Sequence, residues 1–325
     1  MIRLTRRGLL AASASLPFTP GLARAQSWPS GTIRLVVPFP AGGSVDALAR
    51  IAQPGLERRL GATVIVENRP GAGGSVGAAM VAKSPPDGSN WLFVFDTHAV
   101  NPTLLPNMPF DPVRDLDPVS LIGTAPMVIT SHPAQPYRTL DDIVTAAKAR
   151  PGSLAYGTIG NGSLGHLAMT LLGKRAGVTF NHIPYRGGGP LVNDALGGHV
   201  PLAIASVSVL ASHLAGGTLR PIVQTGAARV ATLPQVPTVA ESGFPGFEAE
   251  AWWAVFAPTS TPAPMIERFG RDLTAALRDE SIERQLTQTQ QVKLMTTGPA
   301  ELKSFFAGQM ATWGAVVREN SIKPD

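Results

Sequence analysis

The chain has 325 residues, 44% of them hydrophobic and 15% charged, with a formal net charge of +5. Arg3, Arg6, Arg7 and Arg24 fall in the first 25 residues, which hold no acid; beyond them 23 basic residues face 22 acidic ones, so no nucleic-acid partner is expected. The absence of cysteine excludes disulfides, thiolate metal sites and cysteine nucleophiles, and no run of 18 apolar residues marks a membrane-spanning helix.

The N-terminus reads as an export signal. The basic residues Arg3, Arg6 and Arg7 precede an apolar stretch over 9–18 and the small-x-small pattern Ala23-Arg24-Ala25. Residues 5–10 resemble a twin-arginine signal; an ordinary secretory signal is the alternative. Either is expected to be removed after about Ala25, so residues 1–25 are set aside as a signal peptide. No cysteine follows to carry a lipid anchor.

Strand and helix then alternate. Residues 32–37 read as a strand, 44–60 as a helix with apolar positions at Leu48, Ile51, Ala52, Leu56 and Leu60, and 63–66 as a strand. Residues 75–83 follow as a helix stopped by Pro85-Pro86-Asp87-Gly88, and 91–95 as a third strand. Five prolines over 101–118 predict an irregular connection, and 119–130 a long strand. Thr139, with Asp142 three residues on, predicts a capped helix. Strands at 154–156, 179–183, 200–205 and 219–224 alternate with helices at 164–175, 190–196 and 209–215. Residues 251–257 read as a buried strand and 262–279 as a helix with proline at its start. A last strand at 292–295 precedes a terminal helix whose apolar face carries Leu302, Phe305, Phe306, Met310, Trp313, Val316 and Val317.

This order predicts an α/β fold with parallel sheets flanked by helices. Residues 26–122 and 123–249 form two blocks. Residues 250–325 are too few to stand alone and are expected to return to the first. The chain would then cross twice, near Ile122-Gly123 and near 249–255, as in proteins whose two lobes close on a ligand.

Glycine-rich loops between strands and helices carry the candidate chemistry. Phe39, Pro40, Ala41, Gly42, Gly43 and Ser44 open a helix whose free N–H groups and dipole suit an anion; Asp46 would repel a carboxylate or stabilise the first turn. Residues 68–74 repeat that context, with Arg69 in either a carboxylate pair or solvent. Gly160, Asn161, Gly162 and Ser163 form a second anion cradle. Gly160, Gly162 and Gly165 match a dinucleotide fingerprint, but no acid ends the next strand at Ile183-Pro184-Tyr185-Arg186, so no nucleotide is expected. Tyr185 and Arg186, beside three glycines, suit an oxygen-rich ligand or a plain flexible loop. The six histidines show no metal-binding spacing, and Ser163 lacks the nucleophile-elbow pattern. A triad assembled from distant residues would make the chain an exported, hydrolase-like α/β enzyme, the alternative reading.

The stretches Ile33-Arg34-Leu35-Val36-Val37-Pro38-Phe39-Pro40-Ala41-Gly42-Gly43, Val66-Glu67-Asn68-Arg69-Pro70-Gly71-Ala72-Gly73-Gly74, Gly160-Asn161-Gly162-Ser163 with His166, Pro184-Tyr185-Arg186-Gly187-Gly188-Gly189-Pro190 and 233–243, in this order, resemble the Bug-type substrate-binding proteins of tripartite tricarboxylate transporters. The likeness runs from about residue 31 to 320. It implies a periplasmic, type II binding-protein fold with two hinged lobes; a monomer without cofactor is expected. It implies ligand carboxylates held by backbone N–H groups and water, and two membrane permease subunits as partners. Carried over, the contacts are Phe39 to Asp46, Thr97 and His98 in the first lobe, and Gly160 to Ser163, His166, Tyr185 and Arg186 in the second; Ser206 is a further candidate contact of this chain. Many members carry an acid where this chain has Ala203-Ile204-Ala205-Ser206. A ligand bearing an ammonium group would lose its counter-charge there. The expected ligand is therefore a di- or tricarboxylate or an aromatic acid.

Overall fold

The computed structural model describes residues 28–324; the expected signal peptide lies outside them. The chain opens with β1 (Ile33–Val37), α1 (Ser44–Leu60), β2 (Val64–Asn68), α2 (Ser75–Ala82), β3 (Asn90–Phe95) and α3 (Thr97–Leu104). Then come β4 (Leu116–Ser131), α4 (Leu140–Ala149), β5 (Ala155–Thr158), α5 (Leu164–Ala176), β6 (Asn181–Pro184), α6 (Gly188–Leu196), β7 (Leu202–Ser206), α7 (Val207–Ala215) and β8 (Arg220–Gln224). The last elements are β9 (Glu250–Pro258), α8 (Ala263–Leu277), α9 (Glu280–Arg284), β10 (Lys293–Leu294) and α10 (Pro299–Glu319).

Local chemistry accounts for most of these elements. In α1, Val45, Leu48, Ala49, Ala52, Leu56 and Leu60 form one buried stripe, and Gly61 ends the helix in the left-handed region at φ 67°. The expected capping box opens α4: the Asp142 N–H donates to Thr139 Oγ1 at 3.1 Å, and the Thr139 N–H donates to the Asp142 carboxylate at 2.9 Å. α3 differs from expectation. Pro102 lies inside it, yet a proline near the end of a short helix forfeits one N–H bond, and burial of Val100 and Leu104 outweighs that loss.

Among the described residues the strands form one curled sheet in the order β2-β1-β3-β9-β4-β7-β5-β6, with β8 and β10 also paired to β4. β1, β2 and β3 run parallel, as do β5, β6 and β7. β4 links the two sets. Its residues Leu116 to Pro126 pair with β9, and Met127 to Ser131 pair with β7. The pairing partner thus changes at Pro126/Met127, beyond the Ile122-Gly123 step that the sequence suggests. Gly123 has another purpose. A Cβ there would lie 2.5 Å from the Lys293 carbonyl oxygen, so the glycine admits β10 to the side of β4. The return passes from Ala249, bonded to Thr225, to Glu250, which faces Pro126.

β9 is buried on both faces. Trp253, Val255 and Ala257 enter one core, and Trp252, Ala254 and Phe256 the other, as the two-residue period of a strand requires. α10 covers the second core with Leu302 and Phe306 and runs on to α5 of the other half, where Glu319 pairs with Lys174 at 2.9 Å.

Candidate functional site

Strand register decides where the loops meet. The last residue of β7, Ser206, faces Met127, the first residue of β4 in the second half. The last residue of β3, Phe95, faces Trp253, which faces Gly123 a few residues before the same crossing. The carboxyl ends of both parallel sets therefore point at one seam, where ligands of open α/β sheets bind.

On the first side, the loop from Phe39 to Gly43 is held by Asp46. Its buried carboxylate accepts the Gly42 N–H at 2.9 Å, the Asn68 amide at 2.9 Å and the Arg50 guanidinium at 3.0 Å. Burial raises the Asp46 pKa, but these donors outweigh it and hold the carboxyl below the usual range. Asp46 is thus committed to the loop. Pro40, Ala41 and Gly42 are exposed, while Gly43 is the N-cap of α1 and Ser44 its first residue. The Ser44 hydroxyl accepts from Trp253 Nε1 at 3.3 Å, tying the loop to the returning strand. The Phe39 ring sits edge-on to Phe95 at 5.2 Å.

After β3, Asp96, Thr97 and His98 are all buried. His98 packs against aromatic side chains. Its ring lies 5.2 Å from Phe256 and 5.3 Å from Phe306, in the core beneath α10, and burial pushes its pKa down to about 3. Its Nε2 is buried without a hydrogen-bond partner. Thr97 Oγ1 and both Asp96 carboxylate oxygens are buried without a completed hydrogen bond. Burial raises the Asp96 carboxyl well above the usual range, and the N–H groups of Asp96, Thr97 and Leu164 draw it only partly back. Leu164 is the first residue of α5, in the other half. In the sequence Asp96 carries no signal of its own, because an acid after an apolar strand looks like an ordinary helix cap.

On the second side, the loop from Gly160 to Ser163 is held by uncharged groups. Ser163 Oγ donates to the Gly160 carbonyl at 2.7 Å, and Thr158 Oγ1 donates to the same oxygen at 3.0 Å. The Gly162 N–H donates to His166 Nδ1 at 3.1 Å, which places the ring proton of a neutral His166 on Nε2. His166 stacks on His182 at 3.8 Å; burial, then His166, lowers the His182 pKa to about 3. Asn161 is half-buried beside them. Gly162 also meets the first half: a Cβ there would fall 2.2 Å from Leu104 of α3.

The remaining predicted residues divide. Tyr185 donates its hydroxyl to Asp194 at 2.8 Å, so that group is engaged within its own half. Arg186 is exposed on the same loop. Ser206 is buried at the start of α7. Thr225, which no sequence signal singled out, joins the two crossings: its hydroxyl accepts the Met127 N–H at 2.9 Å and reaches the Ala249 carbonyl. Among the described residues no cluster of three or more metal-ligating side chains occurs, and no helix is long and apolar enough to cross a membrane.

Comparison with known proteins agrees with this fold. The family model for the tripartite tricarboxylate transporter family receptor matches residues 48–322. Protein BugT of Bordetella pertussis is 36% identical over 320 residues, 97% of this chain and 98% of that protein. Rpa4515 of R. palustris, solved with adipate, is 31% identical with a TM-score of 0.86, over 92% of this chain and 100% of that one. MatC of Rhodopseudomonas palustris, solved with bound malate, is 26% identical with a TM-score of 0.82, over 89% of this chain and 100% of that one. The matched family is one of receptors, which removes the enzyme alternative. With loop motifs, architecture and near full-length relatives in agreement, the chain belongs to the receptor family of tripartite tricarboxylate transporters, TctC.

Proposed function

We propose that this chain is a periplasmic receptor that traps a small carboxylate at the seam and delivers it to the two membrane subunits of a tripartite transporter. The signal-like first 25 residues support export across the inner membrane. One lobe comprises residues 28–126 and 250–324, and the other residues 127–249, with the crossings at 126–127 and 249–250 serving as hinge. The receptor acts as a monomer, and the ligand is held by Phe39 to Ser44, Thr97, Gly160 to Ser163 and Ser206.

What supports this reading is the strand register, which brings the carboxyl ends of both parallel sets, after which α1 and α5 begin, to one seam. Main-chain N–H groups at such starts, reinforced by the helix dipole, favour negative charge. The adipate and malate held by the two solved relatives are of that class. With Ser206 in place of an acid, a di- or tricarboxylate or an aromatic acid fits better than an amino acid.

A thermal-shift screen of adipate, malate, succinate, citrate, benzoate, aspartate and glutamate tests this. A binding acid at a hundredfold excess over Kd stabilises by about 2.7 kcal/mol and is recovered unchanged. Small-angle scattering should show a more compact particle with that acid than without it. No shift with any acid would sink the reading, and tight binding of the amino acids alone would overturn the ligand class.

A further inference from the structure

Asp96 is fully buried at the seam, and neither of its carboxylate oxygens completes a hydrogen bond. The donors nearest to it are the N–H groups of Asp96, Thr97 and Leu164, the last being the start of the thirteen-residue helix α5. Beside it, Thr97 Oγ1 is buried and likewise unpartnered. No neighbouring element sets a charge against it. His98 on α3 is turned into Phe256 and Phe306, His166 on α5 is stacked on His182, and Asp46 on α1 is committed to Arg50 and Asn68. Among the described residues no ion pair includes Asp96.

A buried acid without a cation keeps its proton, and two carboxyl groups brought together in a dry site share one. A ligand carboxylate drawn to the start of α5 would meet the Asp96 carboxyl. We propose that Asp96 is a ligand-contacting acid that enters the complex protonated and donates its O–H to the carboxylate of the bound ligand. This inference rests on the receptor reading above. The proton comes from solvent and stays on the carboxyl pair; no bond of the ligand forms or breaks. Capture is therefore proton-linked. With the lobes parted, Asp96 meets water and ionises near the ordinary aspartate value. Burial in the complex raises that value, so the complex takes up a proton and strengthens as pH falls.

Isothermal titration of the full chain with the tightest-binding acid of the panel, between pH 6 and pH 8, tests this. In two buffers of different ionisation enthalpy, the wild type should take up about one proton per ligand, and Kd should rise by up to about tenfold per pH unit. In Asp96→Asn, whose amide donates without titrating, both uptake and pH slope should vanish, whatever the affinity. No proton uptake by the wild type overturns the proposal, and that measurement does not depend on a variant folding. An unchanged slope in Asp96→Asn overturns it too, pointing to His166 or His182. Tight binding of glutamate without uptake would set an ionised Asp96 against an ammonium group, and it likewise overturns the proposal. If no acid binds either protein, the receptor reading itself fails and this inference falls with it.

Discussion

The two loops that open α1 and α5 are held by opposite means. The first relies on an ionised network in which Asp46 gathers Gly42, Asn68 and Arg50, and the Arg50 side chain is half exposed. The second relies on hydroxyls, an imidazole and backbone: Ser163, Thr158 and His166 around Gly160 and Gly162. The contrast follows from solvation. A carboxylate can hold the outer loop because its guanidinium partner reaches water. In the inner loop, closed over by Leu104, an ion pair would lose more in hydration than it gains. Asp96 is the exception at the seam, a carboxyl in the dry region with no partner of its own.

Glycine substitutions should separate the two loops most clearly. Gly42→Ala adds a Cβ that meets nothing within 4 Å, so only the left-handed φ of 84° is strained, about 1 kcal/mol. Gly162→Ala adds the same strain at φ 67° and drives its Cβ onto Leu104, for a loss of about 2–4 kcal/mol in denaturant unfolding. Equal losses at the two sites would mean that the seam stands open in solution.

Removing the carboxylate of the outer loop comes next. Asp46→Ala leaves the Gly42 N–H and the Asn68 amide without their acceptor and should remove about 2–3 kcal/mol at pH 7. Because the Asp46 pKa is depressed, its stabilisation is present above about pH 4 and lost as pH falls through the depressed value. Chemical unfolding at pH 7 and again near pH 3 should show the variant's deficit shrinking. A deficit unchanged at low pH would deny the ionised network.

Thr225→Val keeps shape at the crossings but removes the acceptor for Met127; a loss of about 1–2 kcal/mol is expected from equilibrium unfolding. The smallest effect belongs to Lys174→Ala. Its pair with Glu319 spans the two halves but is exposed on both sides, so stability should change by less than about 1 kcal/mol, and less still in high salt. A larger loss would mark that pair as a latch across the seam.

Much of the fold was legible because its signals are local. The stripe of α1 and the Thr139–Asp142 capping box each act within one or two turns. The loops at Gly42–Ser44 and Gly160–Ser163 were legible for the same reason, being glycine runs between a strand and a helix. α3 was hidden by Pro102, whose ordinary meaning its buried neighbours override. The room that Gly123 makes for β10 carried no local signal.

The order of residues alone set the strand–helix alternation, the two glycine cradles and the family, since periodicity and turn chemistry are written in near neighbours. Which groups are dry and which meet was settled by packing in three dimensions. Nothing near Asp96 in the chain announces that Leu164 will approach it, and nothing near Thr225 announces that it will join two crossings. Desolvation depends on what packs above a group, and that is set by contacts between residues far apart in the chain.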